Sequence, residues 1–592
     1  MKKTMFLAMM TAAMMTACSS SDPFEDYVNN YTSGSTTGGN TTGTTGGGTT
    51  SATTGELTTF AVSIDKTTAE PTERADAYYP EAEDDITQNT FATQVAIDMS
   101  NPTAREENGV SITVNGGHVT ANHGSEKGIC YVVSGTTENG SFTVVGDKKY
   151  EVLLSGADIT NPDSAALNLL SKKRAFVVLA DGTSNKLTDG TTSQNDHKGA
   201  LYAKGKLLLS GTGALEVYGN YNNAIHSADY ILVEPGTNIY AKSVANHGLK
   251  SNDGIFINGG ILNVEVSAAA AKGLNSESHV IVCGGRTTVI TTGNGTWDDD
   301  DQEAKGAACI KADSTFTIYG GELRLKSTGS GGKGINADGA ADFCGGNIYI
   351  ITEGSQYKSN NDTASPKGIK ADGDINIKDG TIWVRTSGTN GEGIESKSTI
   401  TISGGQTAVY SYDDAINSKS TMTITDGYVY AHGQHNDGLD ANGNLYIKGG
   451  VVYAISSGSP EVAIDANTEG GCKLYLQGGI VVAIGGLENG SSLSQSCYQT
   501  TWSANTLYTL KSGDSSFTFR TPQSGSNGLV VSAPSTPTLL SGTTVSGGTT
   551  LFGGLGYWGG TVSGGSSMTL SSYSGGNMGG MGGNPGGRPG GW

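Results

Sequence analysis

The sequence predicts an all-β protein whose body is a parallel β-helix, and three features of the chain indicate this fold class. A small residue followed by an aliphatic one recurs at intervals of mostly 22–25 residues. Each interval contains two short segments of alternating apolar and polar residues, which is typical of strands. A Gly-Gly or Asp-Gly turn separates the two segments. One such unit cannot bury its apolar face alone, so we expect the units to stack as coils of a solenoid.

The recurring pairs set the register of the predicted coils. They are Ala200-Leu201, Ala224-Ile225, Gly248-Leu249, Gly273-Leu274, Cys309-Ile310, Gly334-Ile335, Gly368-Ile369, Gly393-Ile394, Ala415-Ile416, Gly438-Leu439 and Ala463-Ile464. Equivalent positions of successive coils lie about 4.8 Å apart and form columns. One interior column is then predicted from Ile394, Ile416, Leu439 and Ile464. The turn glycines, such as Gly405, are expected to have positive φ angles.

The N-terminus predicts a lipid-anchored, secreted protein. Lys2 and Lys3 precede an apolar stretch that is too short to span a bilayer. The residues up to Cys18 resemble a bacterial lipobox, which implies cleavage before Cys18 and lipidation of its thiol; the alternative is an ordinary secretory peptide cut after Ala17. An acidic cluster after Cys18 favours export to the cell surface as an outer-membrane lipoprotein, held to the membrane by the lipid anchor only.

Composition along the chain predicts five segments. The boundaries follow the loss of the repeat at each end and the Thr/Gly/Ser-rich and Gly-rich stretches, which cannot build a core. The segments are a lipoprotein signal peptide (1–17), the lipidated Cys18 with a Thr/Gly/Ser-rich tether (18–56), the parallel β-helix (57–485), a β-rich C-terminal cap (486–571) and a Gly-rich disordered tail (572–592).

Charge and cysteine usage exclude several function classes. The chain has 36 basic and 56 acidic side chains and a net charge of −20, so nucleic acid is not an expected partner. The cysteines after Cys18 fit no metal-binding spacing, and their pairing stays open. They are Cys130, Cys283, Cys309, Cys344, Cys472 and Cys497. We expect a monomer.

An acidic column in the late coils predicts a metal site. Its members flank the small and aliphatic pair of each coil, which places several carboxylates from neighbouring coils close together. Like charges this close repel unless a cation lies between them, and hard oxygen ligands favour Ca²⁺. The candidate ligands are Glu392, Glu395, Asp413, Asp414, Asn417, Asp437, Asp440 and Asp465. The alternative is a solvated acidic surface with no bound ion.

An aromatic column follows the Gly-Gly turn and predicts a carbohydrate-binding surface. The middle residue of this strand points away from the interior, and flat aromatic side chains match the apolar faces of sugar rings. The candidate residues are Tyr349, Trp383, Tyr410, Tyr428, Tyr430 and Tyr453. The alternative is a structural stack, or a face that the C-terminal region covers.

Several stretches resemble one family. They include ADITNPDSAALNLL (157–170), KGALYAKGKLLLSGTGALEV (198–217) and NHGLKSNDGIFINGGILNV (246–264). Over roughly residues 57–540 the chain is similar to bacterial carbohydrate-binding β-helix proteins that are related in fold to polysaccharide lyases. The resemblance implies a right-handed parallel β-helix, bound calcium and affinity for plant-type polysaccharide such as cellulose or pectate.

A basic column in the earlier coils keeps an enzymatic alternative open. Its members are Lys250, Lys272, Lys305, Lys311, Lys333, Lys367 and Lys370. Such lysines suit uronate carboxylates or pair with local acids. In lyases of the resembling fold a basic group removes a proton next to the uronate carboxylate, beside calcium; here the basic and acidic columns are expected to be separated along the axis.

We therefore expect non-catalytic, calcium-dependent binding of extracellular polysaccharide, of plant type or acidic. The alternatives are a calcium-dependent lyase acting on uronate-containing glycans and a cell-surface adhesin.

Overall fold

The computed structural model describes residue 57 and residues 59–458, 460–524 and 528–574. The predicted signal peptide, Cys18, the tether and the tail from residue 575 onwards lie outside the described residues. Within the described part, no helix combines the length and the apolar character needed to cross a membrane.

The chain is a β-solenoid of about 15 turns, as predicted, with parallel strands spaced about 25 residues apart. One wall is a 16-stranded sheet. Its strands are Arg105–Glu107, Val110–Asn115, Gly117–Asn122, Gly140–Val145, Leu167–Leu169, Gly199–Ala203, Asn223–Ser227, Leu249–Ser251, Lys272–Ser276, Ala308–Ala312, Lys333–Ala337, Lys367–Ala371, Glu392–Ser396, Ile416–Ser418, Leu439–Ala441 and Ile464–Ala466. We call this sheet the short-strand wall.

A 27-stranded sheet supplies the other two strands of each coil. Several of its strands run through the turn and belong to both ladders. The first ladder contains Thr93–Asp98, Ile129–Thr137, Tyr150–Asn161, Ala175–Leu179, Leu207–Gly211, Tyr230–Val233, Gly254–Ile257, His279–Val282, Phe316–Ile318, Ala341–Thr352, Ile375–Thr386, Ile400–Ser411, Met422–Gly433, Leu445–Ile447, Leu474–Leu476 and Ser492–Leu493. The second adds Ser184–Asp189, Ala214–Gly219, Asn238–Ser243, Ile261–Val266, Arg286–Thr291, Glu322–Ser327, Val451–Ser456, Ile480–Ile484, Cys497–Thr500, Leu529–Ser532 and Ser571–Tyr573.

The predicted interior column is confirmed. Ile394 pairs with Ile416, Ile416 with Leu439 and Leu439 with Ile464, and all four are fully buried in one hydrophobic core. The turn glycine Gly405 has a φ of 68°, as expected. A branched aliphatic side chain at this position of each coil therefore fills the interior, and the small residue before it leaves room for the neighbouring wall.

An N-terminal segment, residues 60–91, packs along the outside of the 27-stranded sheet. It contains two single-turn 3-10 helices, Ala82–Asp84 and Ile86–Gln88. The backbone N–H of Ala75 donates to the carbonyl of Cys283 at 2.8 Å. Arg174 donates to the fully buried Asp84 at 2.6 Å, and Lys66 lies 3.5 Å from the ring centroid of Tyr240. Apolar, ionic and backbone contacts together hold this segment on the solenoid.

The chain after the last coil forms a six-stranded sheet and closes the end of the solenoid. The strands of this sheet, in order, are Thr549–Leu551, Gly556–Trp558, Ser515–Arg520, Leu507–Ser512, Thr538–Ser546 and Thr561–Ser567, with a 3-10 turn at Phe552–Gly554. Ile480–Ile484 pairs antiparallel with Leu529–Ser532, so the parallel ladder ends there and its edge is covered. Ser571–Tyr573 also joins the large sheet, which overlaps the first residues of the predicted tail.

Two insertions project from the turn before the short-strand wall as two-stranded hairpins. Their strands are Thr296–Asp298 with Glu303–Lys305, and Tyr357–Ser359 with Asp362–Ala364. The hairpins touch each other, because the N–H of Ala304 donates to Asp362 at 2.8 Å.

Candidate functional site

Three carboxylates from two adjacent coils converge where the chain enters the short-strand wall. Asp414, Asp437 and Asp440 each offer an oxygen, and these oxygens all lie within 4.8 Å of one another. Asp414 and Asp437 take equivalent positions just before their strands, and Asp440 follows the interior Leu439. Asp414 and Asp437 are buried, whereas Asp440 is half-buried. We call these three residues the acidic triad.

Neutral groups hold the triad in place. The backbone N–H of Asp437 donates to Asp414 at 3.0 Å, and the Asn417 amide donates to the other oxygen of Asp414 at 3.1 Å. The N–H of Val462 donates to Asp437 at 2.8 Å. Burial, and then the neighbouring carboxylates, raise the pKa of Asp414 well above its ordinary value. The neighbouring carboxylates therefore oppose the ionisation of Asp414.

The acidic surface continues into the next coils. Asp465 is the partner of Asp440 in the register. Burial, a hydrogen bond with Glu488 and nearby carboxylates raise the pKa of Asp465 to about 9. Asp413 accepts a hydrogen bond from the Asn436 amide at 2.9 Å. Glu488 was not among the predicted ligands, because it follows the last coil with a readable repeat.

The other two predicted ligands face lysines, which corrects part of the predicted metal set. Lys367 lies 2.7 Å from Glu392 and 3.2 Å from Glu395, and Lys397 lies 3.0 Å from Glu395. Burial would raise the pKa of Glu395, but the two lysines lower it to about 2. Glu395 is therefore committed to ion pairs. Burial raises the pKa of Glu392 to about 7, and its Oε2 atom is buried with no hydrogen-bond partner in the described part of the chain.

The basic and acidic columns meet, contrary to the expectation that they are separated. Lys333 pairs in register with Lys367, and Lys367 with Glu392. Burial lowers the pKa of Lys272 to about 7 and that of Lys333 to about 8. Both ammonium groups donate to backbone carbonyls: Lys272 to Gly306 of the next coil at 2.6 Å, and Lys333 to Gly331 of its own turn at 3.2 Å. The remaining lysines pair with local acids: Lys250 with Glu277, Lys305 with Asp298, Lys311 with Asp313 and Lys370 with Asp372.

The predicted aromatic column points away from the interior, as expected, but the N-terminal segment covers part of it. Tyr349 and Trp383 are 3% and 1% exposed. Phe60 packs on both rings, with centroid distances of 6.2 Å to Tyr349 and 5.9 Å to Trp383. The prediction that these two side chains form a glycan-binding surface is therefore wrong, because another part of the chain occupies the face.

The C-terminal region covers the rest of this column. Tyr430 lies 5.7 Å from Phe552, and Tyr453 lies 5.3 Å from Phe519, measured between ring centroids. Both tyrosines are buried, so their predicted carbohydrate contacts are wrong as well. Tyr428 contacts Trp558 at 6.1 Å and stays half-buried.

Tyr410, the sixth predicted aromatic residue, is also half-buried. Its ring packs edge-on against His432, with ring centroids 4.9 Å apart. The structural-stack alternative therefore describes the aromatic column better than a binding surface.

Two aromatic pairs outside the predicted set are more open to solvent. Tyr412 stacks on His435 with ring centroids 4.1 Å apart and planes at 23°. Tyr446 stacks on Tyr475 at 4.7 Å and 9° on the first ladder. Tyr412 directly precedes the acidic Asp413-Asp414 pair, a neighbourhood that could have marked it in the sequence.

The sequence profile described as carbohydrate-binding domain-containing protein matches residues 115–265, 238–390 and 386–438. Together these matches span more than half of the chain, all of it in the solenoid. The chain belongs to this carbohydrate-binding domain family. The matched part includes Glu392, Asp414 and Asp437, and ends just before Asp440.

A relative in the family comes from Acetivibrio thermocellus and is also described as a carbohydrate-binding domain-containing protein. It is 31% identical over 121 residues, which is 19% of this chain and 42% of the relative. The match therefore spans less than half of that relative's length. A solved structure, the polysaccharide lyase-like protein from C. thermocellum in a gadolinium derivative, aligns with 44% of this chain and 94% of its own, at 22% identity and a TM-score of 0.32.

Proposed function

We propose that this protein is a non-catalytic receptor that binds extracellular polysaccharide with the help of Ca²⁺ at the bacterial cell surface. The observation that carries the proposal is the acidic triad within a carbohydrate-binding solenoid: Asp414, Asp437 and Asp440 converge to within 4.8 Å. Three carboxylates this close need a cation or shared protons. A cation held here also offers coordination positions to sugar hydroxyls.

The residues present fit calcium. All the donor atoms are oxygens, and Ca²⁺ takes six to eight of them at 2.3–2.6 Å. The buried Oε2 of Glu392, one coil before Asp414, supplies a further oxygen that has no hydrogen-bond partner in the described part of the chain. Asn417 and Asp465 lie in register with Asp440 and border the same space.

The test is glycan binding with and without calcium. Affinity electrophoresis in gels containing a panel of plant polysaccharides measures retardation of the full chain in calcium and in chelator. We expect retardation in calcium, its loss in chelator, and its loss in the Asp414→Asn, Asp437→Asn double variant. Lys370→Met, which breaks an exposed ion pair elsewhere on the same wall, is the matched control. Retardation that is equal in calcium and in chelator would remove calcium from the proposal.

The surface location rests on the N-terminus of the sequence. We propose that Cys18 carries the lipid and that residues 19–56 tether the solenoid to the outer membrane. Metabolic labelling with a fatty acid tests this, with Cys18→Ser as the comparison. Wild type should be labelled and degraded by protease added to whole cells, whereas the variant should lose the label.

One observation favours lyase activity as a second candidate. Lys333 is half-buried, its pKa is lowered to about 8, and the next coil carries Lys367 against Glu392. An amine with a pKa near neutral suits proton abstraction. Incubation with polygalacturonate in calcium should give no rise in the absorbance of unsaturated uronate if the protein only binds. A rise that Lys333→Met abolishes would establish the enzyme instead.

A further inference from the structure

The acidic triad has an aromatic neighbour that the proposed function has not yet used. Tyr412 and His435 occupy the turn that leads into the triad, one residue before Asp413 and one before Asn436. Their rings stack at 4.1 Å, and the N–H of His435 donates to the carbonyl of Tyr412 at 3.0 Å, so the two turns are fixed to each other. His435 is exposed and Tyr412 is half-buried.

His435 is exposed, and the next coil places a glycine against its backbone. Gly433 pairs with Ser456, so Gly458 takes the position equivalent to His435. A Cβ atom on Gly458 would lie 2.7 Å from the carbonyl oxygen of His435, which shows that the two backbones are in direct contact. Gly458 brings no side chain to the imidazole, and among the described residues Tyr412 is the ring that stacks on it. Neighbouring coils lie about 4.8 Å apart, a spacing comparable to the thickness of a sugar ring.

Hydrogen-bonding groups border this open ring on the side of the triad. Asn436 and Asp413 follow the two aromatic residues and are joined by a 2.9 Å hydrogen bond. The residue after Asn436 is Asp437, and its backbone N–H donates a hydrogen bond to Asp414. A ring packed on His435 would therefore present its hydroxyls to an amide, a carboxylate and the proposed calcium ion.

The negative charges around the triad favour an uncharged sugar over a uronate. Asp413, Asp414, Asp437 and Asp440 give up to four negative charges, and one Ca²⁺ offsets two of them. Of the neighbouring lysines, Lys367 and Lys397 are paired with Glu392 and Glu395. A uronate would add a further negative charge to a negative surface, whereas an uncharged ring would not.

From this geometry we propose that Tyr412 and His435 form a stacking subsite for an uncharged pyranose, whose vicinal hydroxyls reach the acidic triad and its calcium ion. This subsite rests on the proposed function and makes it more specific. The protein would then bind neutral polysaccharide at this corner and discriminate against uronate chains.

The test is calorimetry on the full chain in calcium, with cellohexaose, xylohexaose and mannohexaose as neutral probes and hexagalacturonate as the acidic probe. We expect at least one neutral hexamer to bind more tightly than hexagalacturonate. Tyr412→Ala with His435→Ala should weaken that binding about tenfold or more, because the stacking contact is lost. Tyr412→Phe keeps the stack and should bind like wild type. Tyr446→Ala with Tyr475→Ala removes the comparable stack on the first ladder and should not change the affinity.

The outcomes separate this inference from the proposed function. The calcium-induced rise in Tm should stay the same in the Tyr412, His435 variant, which shows that the metal site is intact. If that variant binds like wild type while the Asp414→Asn, Asp437→Asn variant does not bind, the subsite is wrong and the proposed function stands. Tighter binding of hexagalacturonate than of every neutral probe overturns the choice of sugar. If wild type binds no glycan in calcium, both proposals fail.

Discussion

The positions next to the short-strand wall carry lysines in the earlier coils and carboxylates in the later coils. In the earlier half, the long side chains of Lys272 and Lys333 donate to backbone carbonyls of the turns. In the later half, Asp414 and Asp437 each accept a hydrogen bond from a backbone N–H group. A lysine column can thus be satisfied by the coil itself, whereas carboxylates this close need a cation or shared protons.

The boundary between the halves is where the charge is balanced. Lys367 touches Glu392 and Glu395, and all three are largely buried. On one side burial lowers the pKa of Lys333, and on the other it raises the pKa of Asp414. The same desolvation therefore opposes the charged form in both halves, whereas at the junction the ion pairs lower the pKa of Glu395 and raise that of Lys367.

The largest expected effect is at this junction. Lys367→Met should lower the free energy of unfolding by about 3–5 kcal/mol, since it leaves the largely buried Glu392 without its cation, while Glu395 keeps Lys397. Lys370→Met, which breaks an exposed pair with Asp372, should cost about 0–1 kcal/mol. Urea denaturation at neutral pH measures both values. Similar losses in the two variants would show that the junction is not a special point of the column.

The acidic half should respond to calcium through its triad. Asp414→Asn with Asp437→Asn removes repulsion, so in chelator the variant should melt at or above the wild-type temperature. In calcium the order should reverse, because a site occupied only in the folded state adds about 2.7 kcal/mol at roughly 100 times its Kd. Differential scanning calorimetry in both buffers checks this crossing. A variant that is less stable in both buffers would mean that the carboxylates act through hydrogen bonds alone.

The pH dependence of stability should show a smaller effect, and the raised pKa of Asp465 fixes its direction. The pKa of Asp465 is raised from 3.8 to about 9, so between these values the folded state holds a proton that the unfolded state has lost. In chelator, stability should therefore fall as pH rises from 5 to 7. Buried histidines give the opposite slope in this range, because burial lowers the pKa of His226 to about 4. The quantity to measure is the difference in Tm between wild type and Asp465→Asn.

As pH rises, the Tm of Asp465→Asn should increase steadily relative to that of wild type. Calcium should make this pH dependence smaller. A difference that does not depend on pH would contradict the raised pKa of Asp465.

The smallest expected effect is in the basic half. The pKa of Lys333 is lowered from 10.5 to about 8, so below pH 8 both states are charged and the folded state carries the full cost of burying the ammonium group. Between pH 8 and 10.5 the unfolded state holds the extra proton and stability rises with pH. Lys333→Met removes this cost. Its stability relative to wild type should therefore be most favourable near pH 7 and should decline by pH 10, measured by thermal melting.

The repeat made most of the fold predictable. A small residue before an aliphatic one, as in Gly393-Ile394, marks the coils from Ala200-Leu201 to Ala463-Ile464, because the aliphatic residue must fill the interior. The predicted interior column and the positive φ of Gly405 follow from this local rule. The outward direction of Trp383 was also predictable from strand alternation.

What covers an outward residue was not predictable from the repeat. Phe60 carries no repeat signature, and nothing in its surroundings points to Trp383 far along the chain. Glu488 lies where the period is lost. The stack of Tyr412 on His435 was hidden by a change in turn length: Ser411 pairs with Gly433 and Ile416 with Leu439, so the second turn is one residue longer. Alignment on the strands alone shifts these two rings out of register.

The N-terminal segment also sets an order of events in folding. It leaves the ribosome, and enters any secretion channel, before the strands on which it packs. Arg286 donates to the carbonyl of Ala69, which lies 217 residues earlier. Phe60 and Trp383, which pack on each other, are separated by an even longer stretch of chain. Contacts this distant in sequence form late, because a long loop has to close first. The segment therefore docks only after most coils have stacked, and until then the outer aromatic face is open to chaperones and to other chains.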